Sequence, residues 1–326
     1  MKKFVAILLT LMLVLGVSAA FATEAEVPPT TAPTYTDQGT VTIQKAYKLV
    51  GAGTSPAETF TLVQVGDGRV TDGEAAAAPA LGTITGAAFA AGAATVNGAT
   101  GDITVALPTY TSVGKYEYTL KEVAGTTAGV TYYGNNIKLV VTVINDGEGK
   151  IRVAAVHTES EGGTKSDTFE NTYSAGTLNV SKTVTGNLGD ESKYFEFKVT
   201  LTGVEGKTYG TSYAVTGGTN TANPNAIKIG EETTFLLKHG ETIHIANLPY
   251  GVSYTVTETA ATGYTTTKIG DTGTINAADQ TAAFTNNKTG EIDMGVTTEN
   301  LPYVLLIGFV VLAGAALLLK RKAHNN

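Results

Sequence analysis

Thr40-Val41-Thr42-Ile43-Gln44-Lys45-Ala46-Tyr47 is answered, 137 residues later, by Thr177-Leu178-Asn179-Val180-Ser181-Lys182-Thr183-Val184. In both stretches apolar and polar residues alternate with period two, the pattern of a strand that buries one face. Lys45 and Lys182 fall in the apolar phase of their strands. A lysine there is costly unless the interior holds a partner for it. Its recurrence at the matching place marks an internal repeat.

The rest of the repeat follows from these two strands. Fifteen residues after each lysine stands a phenylalanine, Phe60 in Glu58-Thr59-Phe60-Thr61-Leu62 and Phe197 in Phe195-Glu196-Phe197-Lys198-Val199, so the second strands are expected to correspond. Tyr116, Tyr118, Leu120 and Glu122 alternate in the first copy, and Val252, Tyr254, Val256 and Glu258 in the second, each run ending on a glutamate in the apolar register. From lysine to glutamate the separation is 77 residues in one copy and 76 in the other. Phe169-Glu170-Asn171 and Phe284-Thr285-Asn286 close the copies, and period two points Phe and Asn to one face. Ile137, Leu139, Val141 and Val143 form another strand, and Asn145-Asp146-Gly147 offers a hairpin turn before Ile151, Val153 and Ala155. The Ala- and Gly-rich stretch from Gly66 to Gly101 has weak periodicity and is expected to be an elaborated loop, with a short helix around Ala75 to Ala78.

Composition agrees with an all-β chain. The 326 residues include 38 Gly and 15 Tyr, and β-branched and aromatic side chains suit a pleated surface while Gly serves tight turns. A net charge of −7 argues against a nucleic-acid partner. With no Cys, disulfides, thiolate chemistry and Cys-ligated metal sites have no residues to build them, four scattered His leave little for a His-based metal site, and neither metal nor cofactor is expected. His239 and His244 are five residues apart, on opposite faces if they share a strand. Asn145 to Gly149 lacks the spacing of a calcium loop and reads as a turn. No phosphate-binding glycine loop or nucleophile elbow stands out.

The ends place the chain outside the membrane. Lys2 and Lys3 precede an apolar stretch from Phe4 to Val17, and Ala20-Phe21-Ala22 supplies the small residues of a cleavage site, so residues 1–22 read as a signal peptide. Residues 23–39 form a flexible leader rich in Thr, Pro and Ala. Leu301 to Leu319 is an uncharged run of 19 residues, about 28 Å as a helix, and residues 320–326 begin with Lys320, Arg321 and Lys322, a cytoplasmic basic stop. Everything between is extracellular.

Lys, Glu and Asn placed inward together in each copy share one chemical explanation. In an interior that disfavours charge, a close Lys and Glu trade a proton and become neutral amine and carboxylic acid. The amine can attack the asparagine carboxamide, the acid donating a hydrogen bond to the amide oxygen, and ammonia leaves. What remains is an intramolecular isopeptide bond, made feasible because folding holds the partners in place. This is self-crosslinking in a single turnover, not enzyme catalysis. Asn287, and Asn135 or Asn136, are the rival acceptors.

Two stretches carry a family resemblance. Leu107-Pro108-Thr109-Tyr110 through Gly114-Lys115-Tyr116-Glu117-Tyr118-Thr119-Leu120-Lys121-Glu122-Val123, with Phe169-Glu170-Asn171-Thr172-Tyr173, resembles the N-terminal domain of streptococcal-type pilins. More broadly, residues 40 to 300 resemble the Gram-positive major pilins and related surface proteins with isopeptide-linked β-sandwich domains. The resemblance implies two tandem immunoglobulin-like (CnaB-like) β-sandwiches at 40–175 and 176–290. It also implies a Lys45–Asn171 bond assisted by Glu122 and a Lys182–Asn286 bond assisted by Glu258, the triads that repetition selects. In that family a sorting signal precedes the hydrophobic helix, and a sortase joins its threonine to the wall or to a lysine of the next subunit. Here the corresponding stretch, within linker 291–300, is Glu291-Ile292-Asp293-Met294-Gly295, which keeps the glycine, has Met294 in the threonine position and lacks the proline. A retained single-pass membrane anchor is therefore the competing mode of attachment. If subunits polymerise, Lys165 in the polar loop Glu161-Gly162-Gly163-Thr164-Lys165-Ser166 is the expected acceptor. The leading expectation is a structural pilin-like subunit or stalk on the cell surface, with a sortase and other copies of itself as partners. The alternative is an adhesin for a host or matrix ligand.

Overall fold

The computed structural model describes residues 37–291 together with 306, 307 and 310. The expected signal peptide at 1–22, the expected leader up to residue 36, Ile292 to Gly295 and the basic tail lie outside the described residues, as does the apolar run 301–319 apart from those three positions. Among the described residues no helix is long and apolar enough to cross a membrane.

Among the described residues the first regular element starts at Thr40, and every regular element from there to residue 291 is a strand. First come β1 (Thr40–Gly51), β2 (Glu58–Phe60), β3 (Leu62–Gln64), β4 (Arg69–Gly73), β5 (Ile84–Thr85), β6 (Ala87–Phe89) and β7 (Ala99–Ala106). Then follow β8 (Gly114–Glu122), β9 (Val130–Thr131), β10 (Asn136–Asn145), β11 (Ile151–Ser160) and the long β12 (Thr168–Thr185). Beyond it lie β13 (Phe195–Thr202), β14 (Tyr213–Gly217), β15 (Ala226–Ile227), β16 (Glu232–Leu237) and β17 (Thr242–Pro249). The last four are β18 (Ser253–Glu258), β19 (Thr265–Ile269), β20 (Thr272–Thr274) and β21 (Asp279–Asn287).

Strand β12 organises the whole arrangement. Its first part pairs in parallel with β1, Gln44 to Gly51 against Thr168 to Ala175, and its second part pairs in parallel with β21, Thr177 to Thr185 against Asp279 to Asn287. One sheet, ordered β15-β14-β17-β12-β1-β7-β5 with β9, β21 and β19 attached, therefore runs through both halves. Beside a two-stranded β2-β6 ribbon, two smaller sheets complete the layers, β11-β10-β8-β3 with β4 on β8, and β16-β13-β18-β20. Each packs a core against part of the long sheet, as sandwich layering requires. Ile43 and Val105 meet Leu120 and Leu139 in one core, while Val180, Ile243 and Phe284 meet Phe197, Phe235 and Val256 in the other.

Along β12 the buried positions are Phe169, Asn171, Tyr173 and Ala175, then Leu178, Val180, Lys182 and Val184. Burial passes from odd to even positions at Ala175-Gly176, both of which are buried. A side chain at Gly176 would place its Cβ 2.1 Å from the Ala277 carbonyl oxygen, so glycine is what admits the close approach there.

Two expectations change. The stretch from Gly66 to Gly101 contains β4, β5, β6 and the start of β7, and Ala75 to Ala78 are not helical. Gly73, with φ 122°, and Pro79 bracket the alanines, β4 is pulled into pairing with β8, and Ala75 and Ala78 pack on the first core instead. The second strands also match less closely than the phenylalanine spacing implies. In the first half the strand breaks at Thr61, Phe60 pairs within the β2–β6 ribbon, and Leu62 stands opposite Glu122. In the second half Phe197 itself stands opposite Glu258.

Candidate functional site

The parallel pairing of first and last strands brings a lysine and an asparagine together in each half. Lys45 is opposite Phe169 with Asn171 two residues on, and Lys182 is opposite Phe284 with Asn286 two residues on. The glutamates enter from the smaller sheets, at the last residues of β8 and β18. All six side chains that repetition selects are thereby assembled into two triads.

In the first triad Lys45 Nζ donates to Glu122 Oε2, and the two side chains are 1% and 0% exposed. Asn171 Nδ2 donates to Glu122 Oε1 at 2.6 Å. In the second triad Lys182 Nζ lies 2.9 and 2.8 Å from the two oxygens of Glu258, and Asn286 Nδ2 donates to Glu258 Oε1. Aromatic rings wall both amines. Lys45 Nζ is 5.6 Å from the Phe60 ring centre and 5.5 Å from that of Tyr133, and Lys182 Nζ is 4.2 Å from Phe195 and 5.7 Å from Phe197. These rings exclude water and offer the ammonium only partial compensation. Burial is the larger influence on both lysines and holds their pKa values below the ordinary 10.5, against the opposing pull of Glu122 and Glu258. Each triad thus presents an amine biased toward its neutral, nucleophilic form beside a carboxamide and a proton acceptor.

The hydrogen bonds differ from the expected ones in one respect. Each glutamate meets the amide nitrogen of its asparagine rather than the amide oxygen. At Asn171 the oxygen is engaged elsewhere, accepting from the backbone N–H of Tyr133 at 2.7 Å. Turning that amide over would set two donors against each other, so Tyr133 fixes its orientation. Asn286 Oδ1 is buried and has no hydrogen-bond donor. Sequence reasoning missed Tyr133 because its contribution is a main-chain group that no residue type encodes.

The rival acceptors lie apart. Asn287 follows Asn286 on β21 and is exposed, as are Asn135 and Asn136. Lys165 is exposed next to an isolated bridge with Glu159 and lines a cleft of about 380 Å³ with Val41, Thr42, His157 and Asp167. Glu291 is exposed at the end of the described stretch. His239 Nδ1 accepts from the Val184 N–H at 2.9 Å, and His244 Nδ1 lies 2.6 Å from Asn179 Oδ1, so the two serve different local contacts. In the turn after β10, Asn145 Oδ1 accepts from the N–H groups of Gly147 and Gly149, and Asp146 Oδ1 from those of Glu148 and Lys150, which closes the hairpin.

Comparison with known proteins divides the chain at the middle of β12. Residues 41–174 match the family described as the Spy0128-like isopeptide containing domain, and residues 176–288 match a domain of unknown function, DUF7601. A pilin of Streptococcus pyogenes serotype M1 is 31% identical over 238 residues, covering 66% of this chain and 69% of that protein. The pilus tip adhesin Cpa of Streptococcus pyogenes is 33% identical over 129 residues, 37% of this chain but 18% of the adhesin. The crystal structure of the major pilin from Streptococcus pyogenes superposes with a TM-score of 0.51 at 26% identity, covering 78% of this chain and all of that one. The chain belongs to the Gram-positive, streptococcal-type major pilin family of isopeptide-domain surface proteins.

Proposed function

We propose that the protein is a pilin-like structural subunit of the cell surface whose two halves, 40–175 and 176–290, are domains closed by self-formed Lys45–Asn171 and Lys182–Asn286 isopeptide bonds. The observation that carries this reading is the pair of buried triads in one shared register, each with a lysine amine, a glutamate and an asparagine carboxamide in hydrogen-bond reach. The chemistry balances without any external reagent. The lysine ammonium gives one proton to the glutamate, and the neutral amine attacks the asparagine Cγ. The C–N bond to Nδ2 breaks as that nitrogen takes the proton held by the glutamate, and the surplus proton on Nζ leaves with the ammonia as ammonium.

Each bond joins the first strand of its half to the last, so tension along the chain crosses the half through a covalent link. The strands between carry little of it. In an extracellular protein with no cysteine the crosslinks take the place of disulfides. Similarity to pilins supports polymerisation, for which Lys165 is the acceptor we favour, the exposed residue beside an open cleft. The sorting-like stretch ending at Gly295 and the apolar run 301–319 would supply the attachment to sortase and membrane.

Intact-mass measurement of the mature ectodomain tests the reading. We expect a deficit of two ammonia molecules relative to the sequence. Glu122→Ala, Glu258→Ala or Asn286→Ala leaves a deficit of one, and Asn287→Ala leaves both bonds formed. A folded parent protein with the full sequence mass is incompatible with this function.

A further inference from the structure

We propose that the backbone N–H of Tyr133 is the oxyanion donor of the first crosslinking site, and that the second site works without one. The inference rests on the isopeptide reading above and adds a catalytic group to it.

The geometry begins with an interruption in the sheet. β9 pairs with β12 only at Val130 and Thr131, opposite Tyr173 and Thr172. The chain then leaves the ladder, and the N–H of Tyr133 turns to a side chain instead, reaching Asn171 Oδ1 at 2.7 Å and Glu122 Oε1 at 3.4 Å. The Tyr133 ring packs on Phe169 at 5.1 Å and stands over Lys45 Nζ, which anchors the amide beside the reacting groups. When Lys45 Nζ adds to Asn171 Cγ, negative charge grows on Oδ1. The donor is already aimed at that atom in a site closed to water, where such a dipole has its greatest effect. Glu122 is then free to act on the nitrogens. It holds the proton released by Lys45 and delivers it to Nδ2, the leaving atom it already contacts.

The second half lacks the interruption. β19 stays paired with β21 on both sides of Asn286, from Thr265 opposite Asn287 to Ile269 opposite Ala283. Its amides remain in the plane of the sheet, while the Asn286 side chain points out of that plane into the core. Asn286 Oδ1 is accordingly buried without a donor. The two crosslinks should close at different rates, the first ahead of the second.

The test replaces one N–H and nothing else. Full-length protein is made by cell-free synthesis with the α-hydroxy analogue of tyrosine at position 133, turning that amide into an ester with the same side chain. Formation of each crosslink is followed by peptide mass mapping over time. We expect Lys45–Asn171 closure to slow about a hundredfold, the usual effect of losing one oxyanion donor, with Lys182–Asn286 unchanged as the internal control for folding. Closure of the first bond at the parent rate overturns the proposal. If the ester prevents folding, so that the second bond also fails, a through-hydrogen-bond coupling between Tyr133 ¹⁵N and Asn171 ¹³Cγ in the parent protein decides it. Its presence supports the donor and its absence overturns it. Absence of the Lys45–Asn171 bond from the parent protein is a separate result, which refutes the isopeptide reading itself.

Discussion

Lys45 and Phe169 face each other across the parallel pair of β1 and β12, which places Asn171 one pleat further along the same buried face. The same offset recurs at Lys182 and Phe284 in the pairing of β12 with β21. Antiparallel neighbours would reverse the direction in which the asparagine lies from the lysine. The geometry of each triad is therefore tied to the parallel pairing of outer strands, a less common arrangement than the hairpins around it.

Removing one acceptor should expose what its bond contributes. Asn171→Ala removes the acceptor of the proposed first crosslink and, by the loop-closure model, should lower stability by about 5 kcal/mol, or roughly 15–20 °C in melting temperature for a domain of this size. Calorimetry of the purified ectodomain checks this. A melting temperature equal to that of the parent means that no covalent loop was there to lose.

An uncrosslinked lysine should make stability depend on pH. In Asn286→Ala, Lys182 remains a free amine in the core, with its pKa held below 10.5 by burial. Between the depressed folded value and 10.5 the unfolded chain binds more protons than the folded one, so stability rises with pH through that window. With the proposed crosslink in place the parent's nitrogen is an amide and contributes no such slope. Urea unfolding from neutrality to that pH, with Lys182→Met/Asn286→Ala as control, tests the difference. Equal slopes in Asn286→Ala and the control contradict it.

Gly176 should resist substitution. An added Cβ lies 2.1 Å from the Ala277 carbonyl oxygen and 3.2 Å from that of Ala278, so backbone must move. Gly176→Ala should cost about 1–3 kcal/mol, the usual range for overpacking, while the mass loss of the first crosslink is retained. Denaturant titration and intact mass together check both halves of the statement.

Asn247 ties the two halves together and is the only non-glycine residue with positive φ among those described, at 60°. Its Oδ1 accepts from the Thr54 N–H at 2.9 Å and the Tyr173 hydroxyl at 3.2 Å. Asn247→Gly keeps the backbone conformation and loses the acceptor, which should cost about 1–2 kcal/mol. Asn247→Ala adds the strain of a left-handed alanine and should be the less stable of the two. The order of their unfolding midpoints is the measurement, and the reverse order contradicts the argument.

Much of this was legible from residue pattern. The strands carrying the triads announce themselves through alternation of large apolar and polar residues, and a charged or amide residue in the apolar phase is conspicuous against it. That is why Lys45, Glu122, Asn171, Lys182, Glu258 and Asn286 stand out in the sequence. Signals fail where side chains are small or the information lies in the main chain. The strands between Gly66 and Gly101 are short, two to five residues apart from the start of β7, and alanines carry little contrast between faces. The donor at Asn171 depends on where β9 stops pairing, and the shared strand β12 crosses the point at which the internal repeat suggests a boundary.

That shared strand bears on how the molecule is made. Synthesis proceeds from the N-terminus, so β1 and β7 exist long before Asn171 emerges to pair beside β1. The same strand continues past it into residues 177–185, whose partners β17 and β21 come later still in the chain. The later half then assembles on a template that the earlier half has set, and a nascent chain stalled there would display a bare sheet edge, open to pairing with a stranger.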